Sequence, residues 1–282
     1  MDKVCKQCAY YAAKEFKNLT WLKKFLLNCN IRIRQNIFHK FEIPYIEMFI
    51  TTKCNLRCRD CSNLIPLLCD QKNIGYERII NDINTLLSKV DRLYRLKLHG
   101  GEVLLHPDLP KIIRFCDTQR KIVSIRITTN GTIIPSQEII SALKGSKVVV
   151  QISDYHLPQC KISELIALFE RNDIKYAYLK DQKWRDMGDF SKRNESRFNN
   201  CSISRCTSLF DGKIFVCSRM AIASALGLVN GIEFISINQC EKVFRKQMEF
   251  FYAKDDMTAC SYCDGDTKYA KTVTAGMQEA RK

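Results

Sequence analysis

The chain has 282 residues, 15 cysteines and a formal net charge of +15 at neutral pH, a length that suits one large domain, or one with a small appendage, and buries a core without staples. Its opening MDKVCKQCAYYAAKEF is charged from the start and lacks the apolar core of a signal peptide, and no apolar run approaches a membrane span, since WLKKFLL is broken by lysines. The expected location is cytoplasmic, where disulfides are disfavoured and an odd number of cysteines at short spacings points to metal or redox chemistry.

Residues 1–45 read as a basic helical extension, with Lys3, Lys6, Lys14, Lys17, Lys23, Lys24, Arg32, Arg34 and Lys40; such a stretch serves equally as a solvated face or a docking surface. The charge fits a nucleic acid, an acidic membrane surface, or a phosphorylated or nucleotide-linked substrate, and alone does not choose among them. From residue 46 a regular alternation begins. IEMFI reads as a strand, YERIINDINTLLSKV places Ile79, Ile80, Ile83, Leu86, Leu87 and Val90 at helical spacing, and LYRLKL returns to strand. PDLPKIIRFC, SQEIISALKG and SELIALFERN read as helices between the strands IVSIRIT, VVVQI and IKYAYL. This alternation predicts parallel βα units and an α/β fold. The segments TTKCNLRC, HGGE, TTNGT and SDYH each follow a predicted strand, so they gather at one end of a parallel barrel or sheet, where such folds place their chemistry. After Lys180 the stretch DQKWRDMGDFSKRNESRFNN is polar and turn-like, and a boundary is expected near residue 190, before a cysteine-rich unit at 191–282.

The loop TTKCNLRCRDCSN supplies Cys54, Cys58 and Cys61 at C-x3-C-x2-C spacing straight after a strand. A structural zinc ion wants four ligands and usually takes paired C-x-x-C knuckles. In a cubane 4Fe-4S cluster, three thiolates hold three irons and leave one open to a small ligand. Arg57 and Arg59 would favour thiolates and an anionic cluster. Zinc and inert buried cysteines are the competing readings.

On this loop, and on Gly100, Gly101 and Glu102 in LHGGEVLLHPDL, the sequence resembles the radical S-adenosylmethionine (SAM) superfamily. The resemblance covers about residues 46–180. It implies a partial (β/α)6 TIM-like barrel as the core of a domain at 46–190, a 4Fe-4S cluster on Cys54, Cys58 and Cys61, and SAM at the open iron. In the family the Gly-Gly-Glu element binds the amino group of SAM; paired glycines let a ligand reach the backbone, and a carboxylate pairs with an ammonium. TTNGT, with Thr129 and Asn130, and SDYH, with Ser153 and Asp154, sit where relatives end their later strands and meet the SAM ribose or carboxylate. Each also reads as an ordinary turn. Asp60 stands where relatives commonly carry an aromatic residue, just before the third cysteine.

The segment CSISRCTSLFDGKIFVC carries Cys201, Cys206 and Cys217, and CSYC adds Cys260 and Cys263. FDGKIFVC reads as a hairpin turning at Asp211 and Gly212, which returns Cys217 toward the first cysteine. The group is similar to twitch, the shortened form of the SPASM domain, in which four cysteines hold a second cluster. The resemblance therefore implies a small cysteine-rich α+β unit with an auxiliary 4Fe-4S cluster. Five thiols compete for four places: Cys201 fits the family spacing and Cys206 lies closer to the hairpin, with zinc as the rival occupant. Full thiolate ligation leaves no open iron, so such a cluster would carry electrons. Cys29, Cys69, Cys116, Cys160 and Cys240 read as small core or surface residues, unless one serves as a hydrogen-atom donor. CKQC, with Cys5 and Cys8, lacks the βαβ context of a redox motif.

The resemblance implies that an electron from a donor such as flavodoxin or ferredoxin enters the first cluster, SAM is cleaved reductively, and a 5′-deoxyadenosyl radical removes a hydrogen atom from substrate. The cofactors carry that chemistry, and the protein orients it and excludes water. Loss of a second electron to the auxiliary cluster gives dehydrogenation; return of a hydrogen atom from a thiol gives epimerisation. Likeness to small twitch-bearing enzymes implies a small-molecule substrate, a sugar, aminocyclitol or nucleotide-sugar, phosphorylated or nucleotide-linked. Candidate contacts are Tyr155, His156, Trp184, Arg185, Asp186, Arg193 and Arg219. One rival is a peptide-maturing radical SAM enzyme that uses the N-terminal extension. The other, a zinc-stabilised RNA-binding protein, leaves the cysteine loop and the GGE unexplained, and a nucleic-acid partner is not expected.

Overall fold

The computed structural model describes residues 20–180 and 182–279, together with 7, 8, 10 and 11. Helix α1 (Trp21–Asn36) is opened by Thr20, whose hydroxyl accepts the Lys23 N–H at 3.5 Å. The short β1 (Glu42–Ile43) leads into β2 (Ile46–Thr51), and the expected alternation follows: α2 (Tyr76–Lys89), β3 (Arg92–Gly100), α3 (Leu109–Thr118), β4 (Ile122–Thr129), α4 (Gln137–Leu143), β5 (Val148–Ser153), α5 (Ile162–Arg171) and β6 (Tyr176–Leu179). Strands β2 to β6 lie side by side and parallel. Their pleat separates two sets of residues. Leu96, Leu98, Ile125 and Ile127 share one core with Ile79, Ile83, Ile112 and Ile140 from the covering helices, while the intervening Arg95, Lys97, His99, Ser124 and Arg126 are buried or half-buried on the other face.

That polar face is organised around Glu47, which accepts from the Tyr45 hydroxyl at 2.6 Å and the Lys97 ammonium at 2.8 Å. Burial alone would raise the Glu47 carboxyl, but Lys97 and His99 outweigh it and hold it at about 2. Burial, with Lys97 beside it, brings His99 down to about 4. The imidazole is therefore neutral at pH 7, and its 3.9 Å approach to Glu47 is no ion pair there.

Beyond β6, β7 (Lys183–Arg185) forms a separate antiparallel ribbon with β11 (Thr272–Thr274). The 181–200 stretch, expected as turn, thus contains a strand whose partner lies far downstream. Strand β8 (Ser208–Phe210) joins the open edge of β2 in parallel, and β9 (Lys213–Phe215) returns from it. Asp211 and Gly212 turn the hairpin at φ 50° and 70°, as a two-residue type I′ turn requires. Helix α6 (Ser218–Ala225) follows, then β10 (Phe234–Ser236) against β9, and helix α7 (Glu241–Ala253). The result is a nine-stranded sheet ordered β10-β9-β8-β2-β3-β4-β5-β6, with β1 beside β3. It is a parallel-dominated, partial TIM-like α/β fold. Among the described residues no helix is long and apolar enough to cross a membrane.

Candidate functional site

The carboxyl ends of β2, β3, β4 and β5 bring the cysteine loop, the GGE, TTNGT and SDYH to one end of the sheet. The loop and the glycines are packed without slack. A side-chain carbon on Gly101 would stand 2.2 Å from the Lys53 carbonyl oxygen and 2.8 Å from Cys54 Cβ. Only glycine permits that approach, and the Glu102 N–H locks it by donating to the Lys53 carbonyl at 2.8 Å. Burial pushes Cys54 up to about 12 and Cys58 up to about 11, with the neighbouring thiols adding to it, and burial raises Cys61 as well. The backbone N–H of Leu56 serves Cys54, and those of Ile65, Asn63 and Leu64 serve Cys61. Three adjacent thiols with N–H donors, reluctant to ionise alone, suit a metal centre that ionises them on binding. Among the described residues no three His, Cys, Asp or Glu side chains are arranged to hold a single metal ion, whereas a cubane takes its thiolates at separate corners.

Glu102 is fully buried. Its Oε1 accepts the Leu104 N–H at 3.1 Å and its Oε2 the Asn130 N–H at 2.7 Å, yet burial still raises it to about 7. An ammonium brought to this carboxyl would offset that burial. Asn130 has a second duty: its Nδ2 donates to Asn55 Oδ1 at 3.0 Å, and Asn55 Nδ2 donates to Thr132 Oγ1 at 2.7 Å. Sequence reasoning misses Asn55, inside the cysteine loop; its place directly after Cys54 is the available signal. Thr129 Oγ1 accepts the Gly131 N–H at 3.2 Å. Asp154 accepts the His156 N–H at 2.8 Å and the Tyr178 hydroxyl at 2.7 Å, and Ser153 bonds the Tyr155 hydroxyl.

Cys201, Cys217, Cys260 and Cys263 line one small pocket. The turn after Cys263 serves two of them: the Gly265 N–H donates to Cys263 Sγ at 3.2 Å and the Asp266 N–H to Cys201 Sγ at 3.3 Å. Burial raises all four thiols. Cys206 lies elsewhere, against Glu47, Lys97 and Tyr11 under the barrel, where burial pushes it up to about 12. Arg219, buried in the first turn of α6, lines the pocket of the second thiol group, and its positive charge acts on Cys263 there and on Cys61 of the first group. It donates to the Gly188 carbonyl at 2.9 Å and covers the Phe190 ring at 4.5 Å, while its Nε has no hydrogen-bond partner among the described residues.

Of the other candidate contacts, Tyr155 and Trp184 meet edge to face with ring centroids 5.0 Å apart, and Tyr155 feels Cys58, Cys61 and Glu102. Tyr155 thus lies within electrostatic reach of the first thiol group, with Trp184 packed against it. Arg185 is committed to Thr272 Oγ1 at 2.6 Å, Arg193 to Asp264 at 2.7 Å, and Asp186 to the Gly188 N–H at 3.0 Å. His156 is exposed at φ 54°. Cys8 is buried with its thiol 3.8 Å from the Glu42 carbonyl, and Cys5 lies outside the described residues. Gln278, whose Nε2 stands 3.2 Å from Cys58 Sγ, also escapes sequence reasoning, and no pattern around it announces the contact.

Residues 48–153 match the family model described as the Radical SAM superfamily. Curated relatives include a GTP 3′,8-cyclase of Chlorobaculum tepidum, 28% identical over 97 residues that cover 34% of this chain and 28% of the relative. A GTP 3′,8-cyclase of Syntrophomonas wolfei is 29% identical over 104 residues, 34% of this chain and 29% of the relative. The chain thus spans under a third of the length of these relatives. Among solved structures, BtrN in complex with AdoMet and 2-DOIA superposes with a TM-score of 0.53 at 14% identity, covering 81% of this chain and 98% of that one. At that identity the likeness is one of fold.

Proposed function

We propose that the chain is a radical SAM enzyme that holds its SAM-binding 4Fe-4S cluster on Cys54, Cys58 and Cys61 and a second 4Fe-4S cluster on Cys201, Cys217, Cys260 and Cys263, and acts on a sugar, aminocyclitol or nucleotide-sugar. The observation that carries this reading is a pocket lined by four buried thiols and by Arg219, whose positive charge also acts on Cys61 of the first group. When bound, the cluster and SAM supply a 5′-deoxyadenosyl radical for hydrogen abstraction. The chain supplies orientation. Glu102 takes the SAM ammonium, Asn130, Thr129, Ser153 and Asp154 border the SAM site, and Tyr155 with Trp184 forms an aromatic wall that excludes water. The Arg219 guanidinium supplies positive charge beside the thiolates of both groups.

Cys201 is preferred to Cys206 because it shares the pocket with the other three thiols and the 264–266 turn with Cys263. The division into 1–45, 46–190 and 191–282 is kept, the last as a twitch-like unit whose first hairpin extends the barrel sheet. A nucleotide-linked substrate is supported by the relatives named GTP 3′,8-cyclase, and a small-molecule one by the fold likeness to BtrN, solved with AdoMet and 2-DOIA. The exposed Lys53, Arg57 and Arg59 on the cluster loop favour an acidic one-electron donor such as flavodoxin or ferredoxin. A second cluster with full thiolate ligation would take the second electron from the substrate radical, which favours dehydrogenation over epimerisation.

The test is iron and acid-labile sulfide per chain after anaerobic reconstitution, in wild type and in the Cys54→Ala, Cys58→Ala, Cys61→Ala triple variant. The expected result is about eight irons falling to about four. About four falling to none would remove the second cluster and dehydrogenation with it; no iron in wild type would end the reading. The substrate class is then tested by 5′-deoxyadenosine release with nucleotide-sugars, and turnover of peptides alone would refute it.

A further inference from the structure

The C-terminal segment beyond β11 crosses the cysteine loop and pairs with it. The Arg59 N–H donates to the Met277 carbonyl at 2.9 Å and the Glu279 N–H to the Arg57 carbonyl at 2.8 Å, forming an antiparallel bridge between Cys58 and Gln278. Arg57 and Glu279 add an ion pair at 3.4 Å on the outer side. Within this bridge the Gln278 side chain is fully used. Its Oε1 accepts the Arg57 N–H at 2.8 Å, and its Nε2 donates to the Gly276 carbonyl at 2.6 Å and to Cys58 Sγ at 3.2 Å. A backbone N–H can only donate, so the amide oxygen must face Arg57, and the amide nitrogen is thereby turned to Cys58.

This hydrogen bond supplies what the loop itself lacks. Cys54 and Cys61 receive backbone N–H groups from their own loop, whereas the donor to Cys58 comes from Gln278, 220 residues away. The strap also ties down the substrate side of the site: Gly276 runs so close to Tyr155 that a side-chain carbon there would stand 2.6 Å from Tyr155 Cβ. Its root, β11, pairs with Trp184 through Val273.

We propose that residues 275–279 are a positioning strap for the first cluster, in which Gln278 donates to the Cys58 thiolate and raises the reduction potential of the centre. This rests on reading Cys54, Cys58 and Cys61 as cluster ligands. One-electron reduction adds negative charge that is shared by the ligating sulfurs, so an N–H dipole aimed at one of them stabilises the reduced form more than the oxidised form. The strap thus eases electron entry from an external donor while covering the ligand from solvent.

Wild type, Gln278→Glu, Gln278→Leu and Gln278→His are reconstituted anaerobically, assayed for iron, and titrated with dithionite under electron paramagnetic resonance. The Gln278→Glu change replaces the donor with an acceptor of the same size, Gln278→Leu removes it, and Gln278→His restores a ring N–H. The expected order of potentials places wild type highest, the His variant next, and the Leu and Glu variants lowest, with faster iron loss in air for the last two. Iron retained and potentials unchanged in all variants would overturn the strap's role while leaving the cluster assignment intact. A His variant no higher than the Leu variant would overturn the hydrogen bond as the cause. Should the Leu variant fail to hold iron, the ordering of wild type and the His and Glu variants decides in the same way. Absence of iron in wild type would instead overturn the cluster reading beneath it.

Discussion

The two thiol groups are built in opposite ways. Cys54, Cys58 and Cys61 sit on a single loop at the end of β2, braced by Gly101 and Asn55 and served largely by their own backbone N–H groups. Cys201 comes from a loop before β8, Cys217 from the start of α6, and Cys260 and Cys263 from the 3₁₀ turn at Thr258–Tyr262 and its end, and the 264–266 turn serves two of the sulfurs at once. The first site depends on what packs against one loop, the second on the tertiary structure that gathers its parts. They nonetheless share a support. β2 launches the cysteine loop and also receives β8, through the Glu47 N–H to the Thr207 carbonyl at 2.8 Å and the Thr207 hydroxyl to the Tyr45 carbonyl at 2.6 Å.

The largest effect should come from that shared support. Lys97→Met leaves the Glu47 carboxylate buried without its cation, and breaking such a pair costs about 3–5 kcal/mol. Both thiol groups should fail together, seen as one lowered thermal transition and parallel loss of iron from both sites on mild heating. The pair also sets an acid limit. The Glu47 carboxyl is held at about 2 against an ordinary 4.5, so its contribution is fully present above pH 4.5 and is lost as pH falls from there toward 2. Urea midpoints of wild type should decline through that window more steeply than those of the Glu47→Gln, Lys97→Met double variant. Selective loss of one group's iron in Lys97→Met would show that β2 is not a common support.

A smaller and one-sided effect is expected at Gly101. Gly101→Val drives a branched side chain into the Lys53 carbonyl and Cys54, and such overpacking costs about 1–3 kcal/mol. It should empty the first site while the second retains about four irons. The site-resolved readout is the resonance signal of each cluster with and without SAM, since only a cluster with an open iron responds to SAM.

The same contrast governs what could be read from the chain alone. The alternation from Ile46 to Leu179 was legible because each strand and helix carries its own periodicity. The grouping of Cys54, Cys58 and Cys61 was legible because all three lie on one loop, and its packing against Gly100, Gly101 and Glu102 because these close a strand and open the loop after it. Strand β7 was not, because three residues ending in Arg185 have no pattern without the distant Thr272–Thr274. The choice between Cys201 and Cys206 stayed open for a related reason: spacing cannot say that one thiol turns to the pocket and the other to Tyr11 and Glu47. Gln278 lies at the extreme of this series, since its contact with Cys58 exists only where a segment 220 residues downstream returns to the cysteine loop.

The smallest effect isolates the tertiary site. Gly265 adopts φ +65°, and a side-chain carbon there would come 3.1 Å from Cys201 Sγ. Gly265→Ala therefore meets two modest penalties, about 1–2 kcal/mol for the left-handed backbone and a further push on the Cys201 sulfur. Gly265→Asn keeps most of the backbone conformation, because asparagine tolerates the left-handed region better, but retains the contact with Cys201. Comparing the two separates the causes. If strain governs, the Ala variant should bind less iron at the second site than the Asn variant; if the contact governs, the two should be equally depleted. In either case the first site should keep its iron and its response to SAM, because the displaced N–H donors of Gly265 and Asp266 reach only Cys263 and Cys201. Depletion of the first site by Gly265→Ala would mean that Arg219, whose charge acts on both groups, transmits the disturbance, and the two centres would then have to be treated as one.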